Sequence, residues 1–186
     1  MMKSPVYGLL LLLALMLPPA ANLLESIMIT HMHMQMPLLV ISGLFMAKFF
    51  QNRFPEFFSK WNENGVPGLL LFSIIMVYWF LPRTMDEALT LTSVEVFKFI
   101  SLPFLAGVPL RDSWPKLSSF WKHALIIFFT ILFLALGWLY IWSPVQLCNN
   151  YLVIEQITLG WGFISTAFAM VVYLIYSYFM DFSKYE

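Results

Sequence analysis

The sequence predicts an all-α integral membrane bundle of about six transmembrane helices, with the N- and C-termini cytoplasmic, on three observations. First, 61% of the 186 residues are hydrophobic and 18% aromatic, and only 11% are charged. The mean hydropathy is +0.80. That leaves too little polar surface to cover a soluble globule of this size. Second, the apolar residues gather into runs, and each crossing needs about 20 of them, so about six spans use up the chain as one domain, residues 1–186. Third, with six spans and a cytoplasmic amino terminus, Lys3, Lys48, Arg53, Lys60, Arg111, Lys116, Lys122 and Lys184 all fall inside. Only Arg83 falls outside, and Lys98 lies within a span, which is a clear positive-inside asymmetry.

Composition also excludes some classes. Ten basic and ten acidic residues cancel, so no concentrated basic face for nucleic acid is expected. The single Cys148 cannot form an internal disulfide.

The first span is the run from Val6 to Leu17, closed by Pro18-Pro19-Ala20-Ala21. A basic start, an apolar core and small residues also describe a secretory signal peptide; the expectation here is an uncleaved helix. The second span runs from about Ser26 to Phe50, with a kink expected at Pro37. A solvated connection follows through Arg53, Glu56, Lys60 and Glu63 to Gly65-Val-Pro-Gly68. The third span covers about Val66 to Leu81 and closes on Tyr78-Trp79-Phe80, aromatic residues typical of a membrane–water interface.

Thr84-Met-Asp86-Glu87 has the spacing of a capping box and is expected to start the fourth span, which runs to about Gly107-Val-Pro109. On that helix Glu87, Thr90, Val94, Lys98 and Ser101 share a face, with Glu95 beside them. Each intramembrane charge costs at least about 2.5 kcal/mol, so Glu95 and Lys98 are expected to pair inside the bundle. Such a pair either only orients helices or belongs to a conduction path.

The fifth span, about Ala124 to Trp142, carries almost no polar group and is expected to be the most lipid-exposed. An uncharged loop, Ser143 to Asn150, leads to the last span, about Tyr151 to Met180, before Asp181, Lys184 and Glu186. In that span Glu155, Thr158, Gly162, Ser165, Thr166 and Ala169 form a small, weakly polar stripe suited to close helix approach.

The chemistry concentrates on the second span, in Glu25-Ser-Ile-Met28-Ile-Thr-His31-Met32-His33-Met34-Gln35-Met36-Pro37. Thioether and imidazole together suit Cu(I) better than any hard cation. The alternative is that methionine fills gaps between helices. In a regular helix Glu25, Met28, Met32 and Met36 line one face with Gln35 adjacent, while Met34 points away. His31 and His33 lie about 200° apart at about 100° per residue, so one metal can take both only if the helix is irregular there. Two sites, or a handover from His33 to the methionine row, would also reconcile them. By the topology above, the cluster, Asp86, Glu87, Cys148, Glu155 and Gln156 all lie at the extracytoplasmic ends of their helices.

The stretch from Thr30 to Gly43 resembles the His/Met/Gln motif and the apolar run after it in the cytochrome c oxidase assembly factor CtaG family, multi-span bacterial membrane proteins linked to copper delivery. Ile154-Glu155-Gln156-Ile-Thr-Leu-Gly160-Trp-Gly162 is similar to that family's acidic-Gln element at the head of a late helix. The chain is shorter than the usual family member, with fewer spans; its histidines are two apart and Glu155 stands where Asp is expected. The resemblance implies a plasma-membrane metallochaperone with His31, His33, Met32, Met36, Glu155 and Gln156 at its site.

No Gly-rich phosphate loop, no evident Ser/His/Asp nucleophile and no His-Glu-x-x-His motif is present, so catalysis by this chain is not expected. The expected metal ligands are Met28, His31, Met32, His33 and Met36, with Glu25, Gln35, Glu155 and Gln156 around them. The expected partners are the lipid bilayer and an extracytoplasmic copper donor or acceptor, such as a respiratory oxidase subunit. Two alternatives stay open. One is a membrane haem protein with a histidine and a methionine of the cluster as axial ligands; pairing His31 or His33 with His123 is disfavoured, because the topology puts His123 near the cytoplasmic face, most of a bilayer away. The other is a copper or proton transporter using Glu87, Glu95 and Lys98, with His123 and Met46 towards the inner face.

Overall fold

A computed structural model describes residues 3–180. The positive-inside residue Lys184, with Asp181 and Glu186, lies outside the described residues, as does the Lys3 side chain. The described residues are helical with no strand. In chain order the helices are α1 (Lys3–Met16), α2 (Pro18–Glu25), α3 (Met28–Arg53), α4 (Pro55–Trp61), α5 (Val66–Phe80), α6 (Pro82–Thr90), α7 (Thr92–Ser113), α8 (Ser119–Trp142) and α9 (Val153–Met180). Among the described residues four helices, α3, α7, α8 and α9, are long and apolar enough to cross a membrane. The count reaches six if α1 with α2, bent by 70°, and α4 with α5, bent by 87°, are each one span. These are the elements of a multi-pass protein in a lipid bilayer.

Several boundaries differ from expectation for local reasons. The solvated connection after the second span is partly helical, because Pro55 sits in the first turn of α4, where its missing N–H costs nothing. The Thr84-to-Glu87 capping box is not formed. Pro82 opens α6 one turn earlier, Thr84 is buried, and Glu87 instead pairs with Arg83 at 2.8 Å. Leu91 is extended, so the expected fourth helix breaks there and its polar face is split between α6 and α7.

Two compact units are formed: Met1–Leu117 with Cys148–Tyr151, and Ser118–Leu147 with Leu152–Glu186. In the first, α1 packs on α3, and α3 on α7. The closest approach is at Gly43 and Gly107: a Cβ on Gly43 would collide with the Pro103 backbone, and one on Gly107 with the Val40 carbonyl. Small residues are what allow helices in lipid to meet backbone to backbone.

Each of these two helices carries a π-helical segment, His31–Gln35 in α3 and Ser101–Gly107 in α7. Both are explained by proline. Pro37 directly follows the last widened turn of the first segment and Pro109 that of the second, which also contains Pro103; a proline donates no N–H and crowds the carbonyl four residues back, and a widened turn relieves that. The Met36 N–H accordingly reaches the His31 carbonyl, and the Val108 N–H the Pro103 carbonyl. Trp79, fully buried on α5, donates to the Ser101 hydroxyl at 2.9 Å and fixes that π segment.

At the other end of this unit Asp112 is buried and accepts from Gln51 (2.8 Å), Asn62 (2.7 Å) and Lys116 (2.7 Å). Asn62 in turn accepts the Gly68 N–H at 2.9 Å, satisfying one free donor at the start of α5. Gly65, at φ 79°, makes the turn into that helix.

The second unit is the α8–α9 hairpin. Its contact runs through Gly137 and Gly160, where an added Cβ on either would press on the Ile164 or Ile141 side chain. The buried face of α9 is therefore Gln156, Leu159, Gly160, Phe163 and Ala167. The expected stripe is not that face, since Thr158, Ser165 and Ala169 are exposed. Nor is α8 the most exposed span: 28% of its apolar window is buried, against 22% for α9.

Candidate metal centre

The candidate site lies in the first unit, where α2 gives way to α3. The turn is closed by side chains: the Ser26 hydroxyl donates to the Leu23 carbonyl at 2.7 Å, and the Thr30 hydroxyl lies 2.7 Å from the Leu24 carbonyl oxygen and 2.8 Å from that of Ile27. This reversal returns Glu25 over the π turn, where the Gln35 amide donates to its Oε1 at 2.8 Å.

Met28, His31, Met32, Gln35 and Met36 are all buried. Met34 is 51% exposed, and His33 is half-buried with its Nδ1 inside. The helix is thus irregular where the two histidines sit, and it places them in different environments.

His31 is the distinctive residue. Its Nδ1 lies 3.0 Å from the Tyr151 hydroxyl, which in turn lies 2.7 Å from the Glu25 backbone carbonyl. A carbonyl only accepts, so the single phenolic hydrogen goes to Glu25. The hydroxyl oxygen must then accept from His31, which fixes the proton on Nδ1. Nε2 is left as a bare lone pair, buried and with no hydrogen-bond partner among the described residues. An imidazole with one nitrogen tied down and the other bare and inward is the arrangement found in metal-bound histidine.

Tyr151 is delivered by a short clamp. Asp86 on α6 accepts from the Asn149 amide (3.0 Å), the Asn150 backbone N–H (3.1 Å) and the Asn150 amide (2.7 Å). The buried Cys148 thiol lies 3.6 Å from the Pro82 carbonyl oxygen. Sequence reasoning missed Tyr151, and no spacing rule links it to His31.

Lys98, 0% exposed, makes its ion pair with Glu25 at 2.5 Å, the Glu25 side chain being 12% exposed. This replaces the expected pair with Glu95, which is half-buried. The Lys98 Nζ also reaches the Gln35 carbonyl oxygen at 3.5 Å and sits 4.8 Å from the centre of the Phe99 ring. Glu25 can meet Lys98 because the α2–α3 turn brings it inward, whereas Glu95 on the same helix does not reach the buried side.

The remaining expected residues are engaged elsewhere. Glu155 accepts the Leu152 N–H at 2.9 Å at the head of α9, and Gln156 bridges the Leu147 N–H (2.8 Å) and the Tyr140 carbonyl (3.1 Å), all within the second unit. Tyr151 thus does for His31 what Glu155 or Gln156 was expected to do. His123 has both ring nitrogens in use, towards the Ser119 carbonyl at 2.7 Å and the Ser177 hydroxyl at 3.0 Å.

Among the described residues no three His, Cys, Asp or Glu side chains converge as they would around a harder cation. The donors that succeed one another on the buried turns are one imidazole and the thioethers of Met28, Met32 and Met36. The chain matches no family model, no curated protein and no solved structure.

Proposed function

We propose that this protein binds Cu(I) as cargo through His31 and the buried methionines of α3, at the extracytoplasmic side of the membrane, and passes it to or from a partner protein. The observation that carries the reading is the bare, buried Nε2 of His31. Lys98 is already balanced by Glu25, so the donors on offer are neutral. Neutral imidazole and thioether favour a soft monovalent ion over a divalent one, which would bring a larger charge into a site with no anionic ligand.

Met28, Met32 and Met36 supply thioethers, and half-buried His33 with exposed Met34 offers donors nearer the surface. Exchange from the outer donors to the inner ones by ligand replacement would keep the ion from ever being free. The resemblance of Thr30 to Gly43 and of Ile154 to Gly162 to the CtaG family is consistent with delivery to a respiratory oxidase in a bacterial plasma membrane.

The test is an absorption spectrum of the detergent-purified protein with copper, iron and zinc analysis of the same sample. Near-stoichiometric copper and no Soret band is the expected result. A Soret band with matching iron would move the reading to a haem protein, with His31 as an axial ligand.

A further inference from the structure

The opposite end of α3 carries a second feature, independent of the copper reading. From His31 to Arg53 the helix rises about 33 Å at about 1.5 Å per residue, close to the thickness of a hydrocarbon core of about 30 Å. At that end α1, α3 and the π segment of α7 border a half-open groove of about 590 Å³. Its wall is apolar, with Leu9 from α1, Phe50 from α3 and Phe104 from α7. Lys48, Asn52 and Arg53, all exposed, stand around it as its polar members.

Neither Lys48 nor Arg53 has an acidic partner among the described residues. Arg53 lies 5.9 Å from the centre of the Phe54 ring, which orients a guanidinium without neutralising it. The buried charges of this unit are paired, Asp112 with Lys116 and Lys98 with Glu25, whereas Lys48 and Arg53 are exposed at the groove with no acidic partner among the described residues. Two unneutralised cations beside an amide donor, over an apolar groove at membrane-interface depth, match one ligand chemistry: a phosphodiester headgroup with acyl chains below it.

We infer that this groove is a binding site for an acidic glycerophospholipid, with Lys48, Asn52 and Arg53 holding the phosphate and the Leu9, Phe50 and Phe104 side chains covering an acyl chain. A zwitterionic lipid would fill the same wall but place its own ammonium against the two cations. Inorganic phosphate would satisfy the cations and leave the wall open to water.

Native mass spectrometry of the full chain, released from micelles doped with equal dioleoyl-phosphatidylglycerol and dioleoyl-phosphatidylcholine, tests this. Wild type should retain one phosphatidylglycerol with at least a fivefold preference, and excess inorganic phosphate should not displace it. Lys48→Ala with Arg53→Ala should bring the preference to near one, while Lys60→Ala, an exposed cation outside the groove, should leave it unchanged. Leu9→Trp, which fills the groove and keeps both cations, should lower retention of both lipids several-fold. Equal retention of the two lipids by wild type, displacement by phosphate, or a loss with Lys60→Ala as large as that of the double variant would overturn the site.

Discussion

The Tyr151 hydroxyl accepts the Nδ1 proton of His31 at 3.0 Å while giving its own hydrogen to the Glu25 carbonyl at 2.7 Å. That one relationship sets the tautomer of His31 and leaves its Nε2 lone pair bare inside the first unit. It also makes a residue of the Cys148–Tyr151 segment responsible for a donor on α3, so substitutions far along the chain from the cluster should register there.

Tyr151→Phe keeps the ring and removes the oxygen. His31 Nδ1 then loses its acceptor and the imidazole can rotate or change tautomer, so Cu(I) affinity should fall about 10- to 100-fold. A competition titration against a chromophoric Cu(I) chelator reads this. The lost hydrogen bonds should lower stability by only about 1–3 kcal/mol, leaving a folded protein.

Asp86→Ala removes the acceptor of Asn149 and Asn150. Tyr151 should then be held less firmly, and Cu(I) affinity should drop in the same direction as for Tyr151→Phe but by less. Combining the two should cost little more than Tyr151→Phe alone, because both act through the same contact. Additive losses in the same titration would show that Asp86 acts by another route.

Glu25→Ala leaves Lys98 buried and unpaired, and Lys98→Met leaves Glu25 without its cation. Each should destabilise by about 3–5 kcal/mol, read as an early thermal transition in detergent. Glu25→Gln with Lys98→Met should recover part of that loss, because no uncompensated charge remains. Glu95→Gln should have a much smaller effect, since the ion pair of Lys98 is with Glu25.

His123→Ala should leave copper content unchanged, because both ring nitrogens of His123 are hydrogen-bonded within the α8–α9 hairpin. Loss of bound metal in this variant, measured by elemental analysis, would bring back a site that uses two distant histidines.

What could be read from the sequence was what local pattern determines. Long apolar runs marked the spanning helices, and the spacing of Met28, Met32 and Met36 marked a single face, which is buried. An irregular turn was one of the ways to reconcile His31 with His33 at a single metal, and the helix is irregular there, with Pro37 directly after the widened turn.

What could not be read depends on which distant segments meet. Lys98 had a carboxylate three residues away in Glu95, and nothing in the spacing says that the α2–α3 turn brings Glu25 closer. The Thr84-to-Glu87 pattern was overridden by Pro82, whose fixed φ starts the helix earlier. The packing face of α9 was set by the Gly137–Gly160 approach, not by the polarity of its own stripe. Tyr151 carries no motif; its position depends on contacts between distant segments, those of Asp86 with Asn149 and Asn150 and its own with the Glu25 carbonyl.

The central claim is that His31 Nε2 is a copper ligand beside thioethers. X-ray absorption spectroscopy at the copper edge of the Cu(I)-loaded protein, compared with His31→Ala, tests it most directly. The account predicts a sulfur shell with an imidazole contribution in the native protein, and loss of the imidazole signal with weakened metal retention in the variant. An unchanged spectrum at full occupancy in His31→Ala, or a native spectrum with oxygen and nitrogen neighbours and no sulfur, would contradict it.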